Sequence, residues 1–146
     1  MVTAQNILYS VAAARRILGI YYPEIKVSIQ VWAKVILVIS DGRRPRFISK
    51  KVFHQHFVDW RKEQAKALVV QRHELLTRSF NVVNPQKNSK YEVVACRDAL
   101  HCQCEDYKNQ IGFWGKAMCK HSFATLDFIG YRSFADYLAA QQVAAA

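Results

Sequence analysis

Cys102 and Cys104 stand one residue apart, and fourteen residues beyond them Cys119 and His121 repeat the spacing. Two thiolates in one pair, and a thiolate with an imidazole in the other, are the four ligands that tetrahedral Zn²⁺ takes. A Cys-x-Cys pair sets both sulfurs on one side of a turn, and the intervening loop, with Gly112 and Gly115, has the reach to return the second pair. Protein fills all four positions and leaves none for water or substrate, so the spacing predicts one structural Zn²⁺. His101 adjoins the first pair as a rival ligand, although it reads more simply as a loop residue. Cys96 lies outside the pattern and reads as a buried strand cysteine. His54 and His56 fall two apart on a predicted helix, where such neighbours do not share a face, so they are expected at the surface or as capping groups.

The second group of chemical interest is basic. Net charge is +10, divided as +3 over residues 1–40, +6 over 41–80 and +1 over 81–146. Any polyanion is therefore drawn mainly to the stretch ahead of the cysteines. Arg43, Arg44 and Arg46 flank a turn, Lys50 and Lys51 follow closely, and Lys62 and Lys66 lie further along the next helix. With Phe47, Phe53 and Trp60 nearby, these cations can grip phosphates while rings stack. The competing reading is a solvated turn and helix face, with Phe53 and Trp60 in the core.

These groups need elements to hold them. An N-terminal helix is predicted with Thr3 as N-cap, an apolar stripe of Ile7, Leu8, Val11, Ala14 and Leu18, and Gly19 as its stop. From Val27 to Ile39 every odd residue is apolar, a period of two that predicts strand. Thirteen residues at about 3.3 Å each make a long strand for a small domain, so a break is expected near Ala33. Asp41-Gly42 signals a turn and Arg46 to Ile48 a returning strand. Ser49 then caps a long basic helix predicted to reach about Leu76. A second hairpin follows, Phe80 to Val83 and Tyr91 to Cys96 around Asn84 to Ser89. After His121 a short apolar helix ends at Gly130, and Phe134, Tyr137 and Leu138 begin a last helix with a fraying alanine tail. The class is α+β: a small single unit with an N-terminal helix, β-hairpins, a long basic helix and a C-terminal ββα-like zinc module.

The ligand spacing and its flanks resemble the SWIM-type zinc finger, Cys-x-Cys followed by a variable spacer and Cys-x-His. Tyr91 and Val93 stand where that family carries an aromatic and a valine in the hairpin ahead of the first pair. Gly115 matches a glycine ahead of the second pair, and Phe123-Ala124-Thr125-Leu126 the apolar helix after it. The resemblance covers roughly residues 78–130, leaving 1–77 as a basic α+β region of no recognised family and 131–146 as a C-terminal helix. It implies a structural zinc and a role in binding DNA or protein, since such fingers accompany Mutator-type transposases, bacterial helicase-like ATPases and some ubiquitin ligases.

Composition bounds the rest. The apolar fraction is 51% and the charged fraction 22%, which suits a folded chain. The longest aliphatic run, Val35 to Ile39, is far short of the roughly 20 residues that cross a bilayer, so no membrane partner is expected. Four cysteines with no secretion signal fit a reducing cytoplasm or nucleus, while the acid-free stretch up to Pro23 weakly resembles an organelle transit peptide. No Walker-type motif, nucleophile–base pairing or carboxylate cluster is legible, so no enzyme is expected. The favoured partner is nucleic acid, with DNA ahead of RNA. The alternative is a protein–protein adaptor docking through exposed aromatics such as Phe113 and Trp114.

Overall fold

Two short helices, rather than one, open the chain in a computed structural model that describes residues 1–145. Helix α1 (Ala4–Leu8) begins at a reciprocal cap: Thr3 Oγ1 accepts from the Asn6 amide at 3.2 Å, and Asn6 Oδ1 accepts from the Thr3 amide at 2.8 Å. The single helix expected from the apolar stripe divides at Tyr9-Ser10. Ser10 takes extended backbone and its Oγ accepts from the Ala13 amide at 3.0 Å, which caps a second helix, α2 (Val11–Leu18). Gly19 ends it as anticipated, in the left-handed region at φ +67°.

The alternating stretch also divides, and the division changes which residues are buried. Strands β1 (Val27–Val31) and β2 (Val35–Ser40) form a hairpin through the expected break. Val27, Ile29 and Val31 lie opposite Ser40, Val38 and Ile36. Facing residues share a side of the sheet, so the inward set moves from odd numbers in β1 to even numbers in β2. Ile36 and Val38 are fully buried, while Ile39, on the apparent apolar stripe, is exposed. Strand β3 (Arg46–Ser49) completes a three-stranded antiparallel sheet in the order β1-β2-β3. Its inner face, with Ile36, Val38 and Ile48, packs against Ala13 and Ala14 of α2 and Phe53 of the next helix.

That helix, α3 (Lys50–Ala65), starts where predicted, with Ser49 Oγ accepting from the Val52 amide at 3.4 Å. It stops at Ala65 instead of continuing to about Leu76. Val69 and Val70 are β-branched and pair with Val83 and Val82, so the chain leaves the helix to form a strand.

Met1–Trp60 form one compact unit, and a second begins at Arg61. The second unit holds a four-stranded antiparallel sheet, β4 (Val69–Arg72), β5 (Ser79–Asn84), β6 (Ser89–Ala95) and β7 (Leu100–Cys102), in sequence order. The β5–β6 hairpin is the predicted one, its turn held by Asn84 Oδ1 accepting from the amides of Gln86 and Lys87. Helices α4 (Glu105–Trp114), α5 (Lys120–Ile129) and α6 (Phe134–Ala145) follow. Helix α5 packs on all four strands and α4 on β7. The α4 segment is helical where the sequence predicts a loop, and α6 continues helical as far as Ala145. The protein is thus α+β, and among its described residues no helix is long and apolar enough to cross a membrane.

Candidate metal centre

Alternation along β7 delivers the first ligand. Leu100 and Cys102 point into the core and His101 points out, with Cys102 opposite the fully buried Val93 of β6. After β7 the chain turns, and Cys104 becomes the N-cap of α4, its Sγ accepting from the Tyr107 amide at 3.3 Å. Cys119 stands in the same relation to α5, its Sγ accepting from the Ser122 amide at 3.4 Å. His121 lies in the first turn of α5. Cys102, Cys104, Cys119 and His121 are all buried, and one ligand atom from each lies within 4.8 Å of the others, a group able to hold a metal ion.

The distances fit that use. His121 Nδ1 is 3.8 Å from Cys102 Sγ and 3.7 Å from Cys119 Sγ. A tetrahedral ion with bonds of about 2.3 Å to sulfur and about 2.0–2.1 Å to nitrogen puts those atoms about 3.6 Å apart. Nδ1 is therefore the imidazole atom presented to the cluster. The Tyr91 ring lies against the imidazole, 4.6 Å centre to centre and tilted by 43°.

Electrostatics favour negative charge here. Two helix N-termini, each bringing unpaired amides and the positive end of a backbone dipole, meet at Cys104 and Cys119. Cys119 is held far below the ordinary thiol range because Cys102 and then Cys104 donate to its sulfur, reinforced by His121 and Ser122 against the opposing effect of burial. Cys102 is pushed far up as the donor to Cys104 and Cys119, with burial adding to the rise. For Cys104, hydrogen bonding with Cys102 lowers the value, but donation to Cys119 and burial outweigh it and leave it at about 11. Tyr107, raised to about 12 by burial first and then by the charge of Cys119, stays neutral beside them.

A polar brace holds the irregular segment before Cys119. Gln110 is buried; its Oε1 accepts from the Met118 amide at 3.0 Å, and its Nε2 donates to the Met118 carbonyl at 3.3 Å and to Asp106 Oδ2 at 3.1 Å. Asp106 in turn receives a bidentate guanidinium from Arg61, at 2.9 and 2.7 Å. On the other side, Ser122 Oγ donates to the Leu100 carbonyl at 2.8 Å, tying α5 to β7. The sequence marks none of these supporting residues as functional. Its one signal is the spacing of Asp106 and Gln110, which puts both on one helix face.

The remaining histidines and Cys96 stay outside the cluster. His101 is exposed with its ring 5.3 Å from Tyr107, and Cys96 is a half-buried free thiol just after β6. His54 bonds Tyr9 Oη at 2.9 Å, and His56 Nε2 accepts from Arg16 at 3.1 Å while stacking on Trp60.

The basic residues have varied surroundings. Arg43, Arg44, Arg46 and Lys51 are exposed, and no ion pair or side-chain hydrogen bond holds them among the described residues. Lys50 lies over the Tyr9 ring at 5.4 Å, Lys62 lies over Phe123 at 5.7 Å, and Lys66 pairs with Glu63 at 2.7 Å. Of the rings named with them, Phe53 is fully buried in the first unit's core, Trp60 is half-buried beneath Arg16, and Phe47 is exposed. Compared with protein-family models, curated proteins and solved structures, the chain matches none.

Proposed function

We propose that the protein is a nucleic-acid-binding module stabilised by one structural Zn²⁺, held by Cys102, Cys104, Cys119 and His121 in the manner of a SWIM-type finger. The observation that carries the zinc reading is the buried Cys₃His group with all four ligand atoms within 4.8 Å. Three thiolates and an imidazole select Zn²⁺ over the harder Mg²⁺ and Ca²⁺. Four protein ligands complete a tetrahedron, so the ion organises the fold and is not a catalytic centre. The nucleic-acid reading rests on Arg43, Arg44, Arg46 and Lys51, exposed cations without acidic partners among the described residues, with DNA favoured.

A second reading has its own observation. Ile111, Phe113 and Trp114 are exposed together at the end of α4, a surface suited to an adaptor that docks on a larger nucleic-acid-processing enzyme. One experiment separates the two. Purified reduced protein is expected to carry one zinc per chain by elemental analysis and to bind DNA with an affinity that falls steeply with salt. Arg43→Ala, Arg44→Ala and Arg46→Ala combined should flatten the slope of log affinity against log salt by roughly 0.7–0.9 for each phosphate no longer neutralised, with zinc retained. Absence of metal from folded protein rules out the zinc reading, and absence of DNA and RNA binding favours the adaptor.

A further inference from the structure

The three-stranded sheet of the first unit has two faces, and α2 and α3 pack on only one of them. On the other face the register sets Gln30, Leu37 and Phe47 in one row across the strands, with Ser28 and Ile39 in the next. Trp32, in the turn after β1, leans over this face with its ring 5.0 Å from that of Phe47, at 66°, and its Nε1 donates to Gln30 Oε1 at 3.4 Å. Phe47 is 58% exposed, Trp32 47% and Ile39 37%, unusual for large apolar side chains side by side on a sheet.

Around these rings the charge is almost all of one sign. Residues 25–51 contain seven Lys or Arg and a single acid, Asp41. Lys34 sits in the turn before β2 and Arg43 and Arg44 in the turn after it, all exposed; Arg46, which opens β3, lies opposite the buried Val38 and so belongs to the other face. Cations therefore stand at both ends of β2, a strand of about 20 Å, with the rings and the amide of Gln30 between them.

We propose that this outer face of β1-β2-β3 is a seat for single-stranded nucleic acid. Trp32 and Phe47 stack on unpaired bases, Gln30 and Ser28 offer hydrogen bonds to base edges, and Lys34, Arg43 and Arg44 hold the phosphates. The proposal rests on the nucleic-acid reading above and narrows it from a charged patch to a stacking surface. Bases in a duplex hide their faces in one another, so exposed rings flanked by cations are useful only to a strand whose bases are free. A second copy of this chain would cover the rings but would bring a net charge of +10 against its like, whereas a polyanion satisfies rings and cations together.

The test uses the full chain as purified, with fluorescently labelled single-stranded DNA, single-stranded RNA and duplex DNA of about 12 units each, within the reach of such sites. Fluorescence anisotropy is expected to show single strands bound at least tenfold more tightly than duplex. Trp32→Ala and Phe47→Ala should each weaken single-strand binding by roughly 5- to 100-fold with little change in salt slope, and Trp32→Phe should recover most of the affinity. Both side chains are exposed, so circular dichroism should show these variants folded. If the Ala variants bind like wild type while the triple Arg variant is weakened, the stacking seat is wrong and the electrostatic reading survives. If wild type binds no nucleic acid, both fail. If the Ala variants alter only the oligomeric state seen by light scattering, the face covers a second copy and the proposal is overturned.

Discussion

The two units cover a small antiparallel sheet in different ways. In the first, Ala13, Ala14 and Phe53 lie on Ile36, Val38 and Ile48, and the hold comes from many apolar contacts. In the second, α5 covers β4–β7, but the segment that must bring α5 back from β7 includes the irregular stretch from Gly115 to Met118. There the buried Phe123, Ala124 and Leu126 pack on the sheet as well, and a group of four side chains within 4.8 Å adds a single point of attachment beside them. Distributed packing degrades by degrees, because each side chain trimmed costs a fraction of the whole. On the zinc reading, a point of attachment is expected to fail at once when its ion is removed. Regular elements in close sequence can be fastened by packing alone, whereas a return interrupted by an irregular stretch suits a point fastener as well.

Removing the ion is the most severe way to test this contrast. Chelation, or Cys119→Ser, is expected to withdraw on the order of 10 kcal/mol of apparent binding free energy that is also folding free energy. Hydrogen exchange should show amides of β7, α4 and α5 losing protection while Ile36 and Val38 keep theirs. Equal loss in both units would show that they share a single cooperative transition. Cys96→Ser, outside the cluster, should leave the metal content unchanged.

Attacking the packed core comes next. Phe53 is fully buried and meets the Tyr9 ring edge-on at 5.7 Å, so Phe53→Ala should cost about 3–5 kcal/mol in denaturant unfolding, with zinc still bound. Zinc release by this variant would join the fates of the two units. The smallest effect sharpens the picture of the metal centre. Gln110→Ala leaves both polar groups of Met118 without their side-chain partner, which should cost about 1–3 kcal/mol and speed metal loss to a competing chelator. An unchanged exchange rate would mean the brace stabilises α4 without positioning Cys119.

The candidate ligands are legible before any fold because Cys-x-Cys and Cys-x-His state a chemical requirement that secondary structure does not alter. Their surroundings are harder to read. The α4 segment buries only Tyr107 and Gln110, carries Gly112 inside it, and opens on a cysteine cap, so neither an apolar stripe nor a Ser, Thr, Asp or Asn signal announces a helix. Strand β4 is hidden because Ala67, Leu68, Val69 and Val70 extend the apolar run of α3 without a proline or glycine to break it. The Val27 to Ile39 run predicts strand and a break correctly. It cannot show that the break is a hairpin that transfers burial from odd to even residues, since pairing is decided across the sheet. The outer-face rings follow from that same register: Phe47 stands beside the arginines in sequence, but Trp32 acquires meaning only once it is folded over Phe47.

Cys104 and Cys119 do more than contribute sulfur, because each is also the residue from which a helix departs. Helices α4 and α5 have ten residues apiece, below the roughly 12–15 at which an isolated helix becomes even marginal in water, and the unfavourable step is fixing the first turn. On the zinc reading, an ion that clamps both cysteines in extended backbone, with amides directed at their sulfurs, would make that first turn for two helices in one event. Metal capture would then act as a nucleation step, with helical signal in this half of the chain expected to grow at the rate at which the fourth ligand closes.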